Sequence, residues 1–172
     1  MKKLFVLGLA IVLFVSCQER EQRYVQSSAE IDAVKSLLKD YHAGDWKAWA
    51  GHYADTAKIY HNTIKGATAA ETVASLKQIL ANTSAYKFDD KNQWYEMVLD
   101  DDNETWVNFW GNWRGKLAAN GKELVIPVHL TLQFVNGKIV EEYGYYDISE
   151  FVLSLQEIEA AKMVEEDIAE EG

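Results

Sequence analysis

Glu123–Ile148 reads ELVIPVHLTLQFVNGKIVEEYGYYDI, and its punctuation decides the fold. Two alternating runs are joined by Asn136-Gly137, the residue pair best able to take the left-handed conformation at both centres of a two-residue turn. The pattern predicts a β-hairpin with strands over Glu123–Val135 and Lys138–Ile148. Pro127 interrupts the first strand and is expected at an edge or a bulge, where no ladder hydrogen bond is lost. Alternation sends His129, Thr131 and Gln133 to one face and Val128, Leu130, Leu132 and Phe134 to the other. The polar row is the expected pocket face, leaving the apolar row to pack on helices or a second subunit.

Working outward, two more strands are expected at Tyr86–Leu99 and Glu104–Leu117, bounded by the turn clusters Asp100–Asn103 and Ala119–Gly121. Upstream the period lengthens. Ile31, Val34, Leu37, Leu38 and Tyr41 recur at spacings of three and four, the signature of one helix face. Gly44 ends that helix and Asp45 starts a second one carrying Trp46, Trp49 and Tyr53. Lys58–Asn62 alternates as a short strand, and after Gly66 a third helix over Ala67–Leu80 buries Val73, Leu76 and Ile79 or Leu80. The expectation is an α+β domain over residues 29–155, with three N-terminal helices packed on a strongly curved antiparallel sheet, no internal repeat and one core.

The first residues, MKKLFVLGLAIVLFVSC, combine two lysines, an apolar run of 12 residues and a small residue before the only cysteine. A membrane span needs about 20 apolar residues, so the run reads as the core of an export signal. Phe14–Cys17 resembles a lipoprotein cleavage site, which gives a signal peptide over 1–16 and lipidation at Cys17, followed by a solvated tether over 17–28. A lone cysteine has no partner for an internal disulfide. The expected location is the bacterial cell envelope, exported and lipid-anchored, with the outer membrane carrying the anchor.

Setting aside Lys2 and Lys3 from the 17 basic residues leaves 15 against 27 acidic ones. Such a surface repels phosphates, so nucleic acid is excluded as a partner and membrane attachment must come from the lipid. Glu157–Glu171 holds seven acids and one lysine, and residues 156–172 are read as an acidic C-terminal tail, a frayed helix or a disordered segment, with a partner-binding segment as the alternative. Asp100–Asp102 lacks the glycine of a calcium loop, and the four histidines show no ligand spacing within an element, so no metal and no cofactor are expected.

The order of elements, with Ala43-Gly44-Asp45-Trp46, Tyr53-Ala54-Asp55, Lys58–His61 and Gly66 before the third helix, resembles the SnoaL-like branch of the NTF2-like superfamily. The resemblance covers about Ala29–Ser149 and implies a cone with an internal pocket, holding a small, mostly apolar molecule. It also implies an alternative, a cofactor-independent isomerase, cyclase or lyase (dehydratase), and the pairing of two copies through the sheet as a homodimer. It places His61 where ketosteroid isomerase relatives keep their carboxylate base and His129 where they keep a proton-donating Asp; their oxyanion tyrosine falls on Leu37.

A neutral imidazole accepts a proton at one nitrogen while donating from the other, so His61 and His129 are the candidate catalytic pair, with Tyr145 as a further hydroxyl. Both histidines equally fit as satisfied polar groups of a pocket. Trp49 and Tyr53 are candidate ligand contacts from the second helix, and Asn108, Trp110 and Arg114 share a strand face mixing rings with hydrogen-bonding groups. Arg114 also fits a surface ion pair, and most of the six tryptophans fit the core.

Overall fold

A computed structural model of the chain describes residues 23–170. The signal peptide, Cys17 and most of the tether read from the sequence lie outside the described residues. The order is β1 (Tyr24–Val25), α1 (Ala29–Ala43), α2 (Trp46–Gly51), β2 (Tyr53–His61), α3 (Ala69–Leu80), β3 (Thr83–Phe88), β4 (Trp94–Leu99), β5 (Thr105–Leu117), β6 (Glu123–Val135), β7 (Lys138–Tyr146) and α4 (Ser149–Glu170).

Local chemistry sets the helix ends. Ser28 caps α1 by accepting from the Ile31 amide at 3.2 Å. Gly44, at φ 67°, turns the chain out of α1; its N–H and that of Asp45 return to carbonyls of the last turn, and Asp45 then accepts from the Ala48 amide at 2.9 Å to start α2. Thr68 and Glu71 form a reciprocal capping box at the start of α3.

The strands make one mixed sheet in the order β1-β4-β5-β6-β7-β2, with β3 also on β5 and only β2–β7 parallel. Asn136 and Gly137 have φ of 51° and 73°, so the β6–β7 hairpin turns on two left-handed residues. The single strand expected over Tyr86–Leu99 is two strands. Both pair with β5, but between the Phe88–Trp113 and Trp94–Trp110 pairs the chain leaves the sheet through residues 89–93, with Asn92 at φ 61°. Opposite this excursion the Asn112 carbonyl accepts from Asp89, so Asn112 turns its backbone groups away from its β6 partner Pro127. The proline nitrogen therefore faces the β7 side, where β7 has already ended at Tyr146.

The apolar rows of β5 and β6 face inward. Val107, Phe109 and Trp113 with Leu124, Ile126, Val128, Leu130, Leu132 and Phe134 form the buried face that receives Ile31, Val34, Leu37 and Leu38 of α1. This reverses the expected pocket face: the row of His129, Thr131 and Gln133 lies on the outer side. In β7 the register jumps between Gln133–Glu141 and Phe134–Ile139, leaving Val140 as an extra residue. That bulge lets Ile139 and Glu142, three positions apart, both point inward and be buried.

A fourth helix adds to the three expected. It runs without a break through the boundary drawn at residue 155, because Phe151, Ser154, Leu155 and Ile158 give it one packed side; residues 159–169 are exposed. No described helix is long and apolar enough to cross a membrane.

Gly44 offers a direct check on the α1–α2 turn. A Cβ there meets nothing closer than 3.7 Å, so the cost of Gly44→Ala comes from the positive φ alone. We expect a loss of about 1 kcal/mol in urea unfolding; an unchanged midpoint would disprove the left-handed turn.

Candidate functional site

Between α1, α3, α4 and the inner face of the sheet lies a cavity of about 490 Å³. Its wall is mostly apolar, with Leu37, Leu38, Trp49, Val128, Leu130 and Phe151 among the lining side chains. Into this wall β7 projects the carboxylate of Glu142, only 2% exposed. A lone buried carboxylate is expensive unless its oxygens find donors. Here both do: the Tyr53 hydroxyl donates to Oε2, and His61 Nε2 lies 2.8 Å from Oε1.

The three groups converge from neighbouring strands. Tyr53 and His61 lie at the two ends of β2, which runs parallel to β7, and the inner-face pattern of both strands brings them to Glu142. Burial first, then the charge of Glu142 and the bond to it, holds the Tyr53 phenol well above its ordinary range, so it stays a donor. A carboxylate accepts, so a neutral imidazole here carries its proton on Nε2 and has its lone pair on Nδ1; no protein hydrogen bond among the described residues engages Nδ1. Gly144 keeps the ring in place. A Cβ at that position would stand 2.6 Å from His61 Cδ2 and 3.2 Å from Nε2, so any larger residue drives the imidazole off Glu142.

Two further phenols line the cavity. Burial, reinforced by Glu142, pushes Tyr146 up to about 12, and its ring meets His61 edge to face with centroids 5.7 Å apart. Tyr41 is raised by burial despite the opposing hydrogen bond from Trp113 Nε1 at 3.0 Å. Both phenols are therefore neutral O–H groups near neutral pH.

Of the residues singled out in the sequence, His61, Trp49 and Tyr53 line this cavity. His129, Asn108, Trp110, Arg114 and Tyr145 do not. They stand on the outer face, because strand alternation puts them opposite the buried rows. His129 stacks on Trp110 with centroids 4.7 Å apart and neighbours Tyr145 across the ladder. Its Nε2 is buried without a partner, and burial lowers its pKa against the opposing charge of Glu96. Asn108 donates to Glu96 at 3.0 Å, and Arg114 holds both oxygens of Asp89 in an ion pair. The two histidines thus share no cavity, which removes the His61–His129 proton shuttle.

Glu142, Tyr41 and Tyr146 were not among the sequence candidates. The signal for Glu142 was its alternation with Gly144 and Tyr146 along one face of the last strand. Among the described residues no cluster of three metal-ligating side chains occurs.

Comparison with known proteins matches residues 34–142 to the model of the SnoaL-like domain. Solved structures of similar fold include a protein provisionally called a SnoaL-like polyketide cyclase from Shewanella denitrificans, at 17% identity and TM-score 0.58, with 76% of this chain and 99% of that chain covered. An NTF2-like protein of unknown function from Burkholderia pseudomallei follows at 14% identity, TM-score 0.57 and coverage of 73% and 96%. A protein from Catenulispora acidiphila with a ketosteroid isomerase-like fold, in complex with trimethylamine, matches at 13% identity and TM-score 0.54, covering 68% and 86%. These identities carry the fold and not the activity. A comparison with curated proteins finds no match.

Proposed function

Since this chain belongs to the SnoaL-like domain family, we propose that its cavity binds a small, mostly apolar molecule. The observation that carries this reading is the cavity itself. About 490 Å³ of largely apolar wall, interrupted at one corner by Glu142, His61, Tyr53 and Tyr146, is the form of a small-molecule site in which a few polar groups fix orientation. The acidic sequence makes an anionic ligand the less favoured class.

The His61–Glu142 pair favours a second reading, an isomerase, cyclase or lyase that works by proton transfer. His61 Nδ1 would take the proton from a carbon beside a carbonyl, while Glu142, bonded to Nε2, holds the ring and stabilises the imidazolium that forms. Neither His129 nor Tyr145 takes part, since neither reaches the cavity.

For the chain before residue 23 the reading is export and lipid attachment at Cys17. Its support is the basic start, the 12-residue apolar run and the sequence Phe14–Cys17.

Each reading has its own measurement. The neutral dye N-phenyl-1-naphthylamine should brighten on binding, and Val128→Trp, which fills the cavity, should weaken it at least about tenfold; an equal affinity in the variant would move binding elsewhere. Deuterium exchange into 2-tetralone should be accelerated by the protein, with His61→Ala and Gly144→Ala each losing about a hundredfold. Exchange no faster than buffer sinks the enzyme while leaving the binder. The intact mass of membrane-extracted protein should correspond to a chain starting at an acylated Cys17, with Cys17→Ser released to the soluble fraction; an unprocessed mass refutes the anchor.

A further inference from the structure

Outside the cavity, the outer face of the sheet carries a groove of about 420 Å³, lined by Tyr24, Gln26, Trp94, Tyr95, Glu96 and Trp110. None of these residues lines the inner cavity. Register explains the juxtaposition. Trp94 pairs with Trp110 across β4 and β5, Glu96 with Asn108, and Tyr24 of β1 with Val98, so alternation puts Tyr24, Trp94, Glu96 and Trp110 on one side of the sheet, opposite the core-facing Met97 and Phe109. Two of the rings stand well out in water, Trp94 at 60% and Tyr24 at 46% exposure. Glu96 lies among them. Its carboxylate accepts from Asn108 at 3.0 Å, and no ion pair among the described residues engages it. Lys35, over the Tyr95 ring at 5.6 Å, is bonded to Asp32 instead. His129 covers one face of Trp110, and burial lowers its pKa against the pull of Glu96, so near neutral pH it brings no positive charge to the carboxylate.

We propose that this groove binds a quaternary ammonium group of the kind choline carries. Ring faces are electron-rich and attract a cation laid against them, and a neighbouring carboxylate adds a full charge to that attraction. The groove supplies both and holds no positive side chain of its own. A primary ammonium is a poorer match, because it stays strongly hydrated unless each of its protons finds an acceptor. The hydrogen-bonding groups at the groove are largely spent on one another: Asn108 donates to Glu96, and the Gln26 amide donates to the Tyr24 hydroxyl at 2.9 Å. An N-methylated nitrogen has no proton to place and asks only for rings and a counter-charge. The formal net charge of -10 draws cations in and keeps anions away. This inference does not rest on the pocket-binding reading above, since the two sites share no residue.

The probes are choline chloride and 3,3-dimethylbutan-1-ol, which share an outline and differ by the charge at the quaternary centre. Titrated into the full chain and followed by proton NMR, the N-methyl resonance of choline should move upfield in the ring currents, and choline should bind at least about tenfold more tightly than the neutral alcohol. Glu96→Gln, which keeps an acceptor for Asn108, and Trp94→Leu, which keeps apolar bulk without a π face, should each weaken choline by about fivefold or more, whereas Trp94→Phe should retain most of the binding. Trp94 is the most exposed ring of the set, so its replacement leaves the core untouched. A free cation and a lipid headgroup share this chemistry. Retention on phosphatidylcholine vesicles that is lost in Trp94→Leu identifies a headgroup, and choline binding without such retention identifies a free cation. Equal affinities for the two probes, the lack of an upfield shift, or choline binding unchanged in both Glu96→Gln and Trp94→Leu each overturns the assignment. If a second copy of the chain covers this face instead, sedimentation shows a dimer and choline leaves the spectrum unchanged, which overturns it as well.

Discussion

The carboxylate of Glu142 is the constraint around which the interior is arranged. It sits within an apolar wall, and taking away either donor would leave a buried carboxylate oxygen short of a partner, a change that typically costs about 1–3 kcal/mol. Packing of that wall alone gives no reason to keep a charge there, since a hydrophobic side chain of similar size would often be as stable. The arrangement makes sense as a means of fixing a histidine: one imidazole nitrogen is committed to the protein, and among the described residues the other has no protein partner.

The sheet makes this geometry available through its irregularities. The extra residue at Val140 rotates the inward phase of β7 so that Glu142 reaches the inner face, and β2 is brought alongside in parallel with His61 at its far end. The excursion at residues 89–93 interrupts β5's partner strand between Phe88 and Trp94, leaving Phe88 as part of the cavity lining. Regular ladders build the core here, and the breaks in them position the chemistry.

Much of the frame was legible because its causes are local. The Gly44-Asp45 junction, the Asn136-Gly137 turn and the face shared by Ile31, Val34, Leu37 and Leu38 each follow from a few adjacent residues. Which side of the sheet is concave was not legible. Alternation separates His129 from Val128 but does not say which face curves around the helices, and the polar row drew the wrong inference because the cavity here is mostly apolar. Glu142 escaped notice because its partners are 81 and 89 residues away and a bulge masks its phase. The strand break after Phe88 had its signal in the turn cluster Asp89-Asp90-Lys91-Asn92, which the alternation on either side of it outweighed.

The walls of the cavity differ in how they are held. On the sheet side, Val128 and Leu130 belong to a strand paired along both edges. On the other side, Phe151, Val152 and Leu155 belong to α4, which grips the body through its first turns and the Lys122–Ser154 bond before running on exposed and acidic, with carboxylates at the end where the helix dipole repels them. Anything entering the cavity would therefore meet two unlike walls, one fastened by ladder hydrogen bonds along both edges of a strand and the other by the side chains of a helix's first turns.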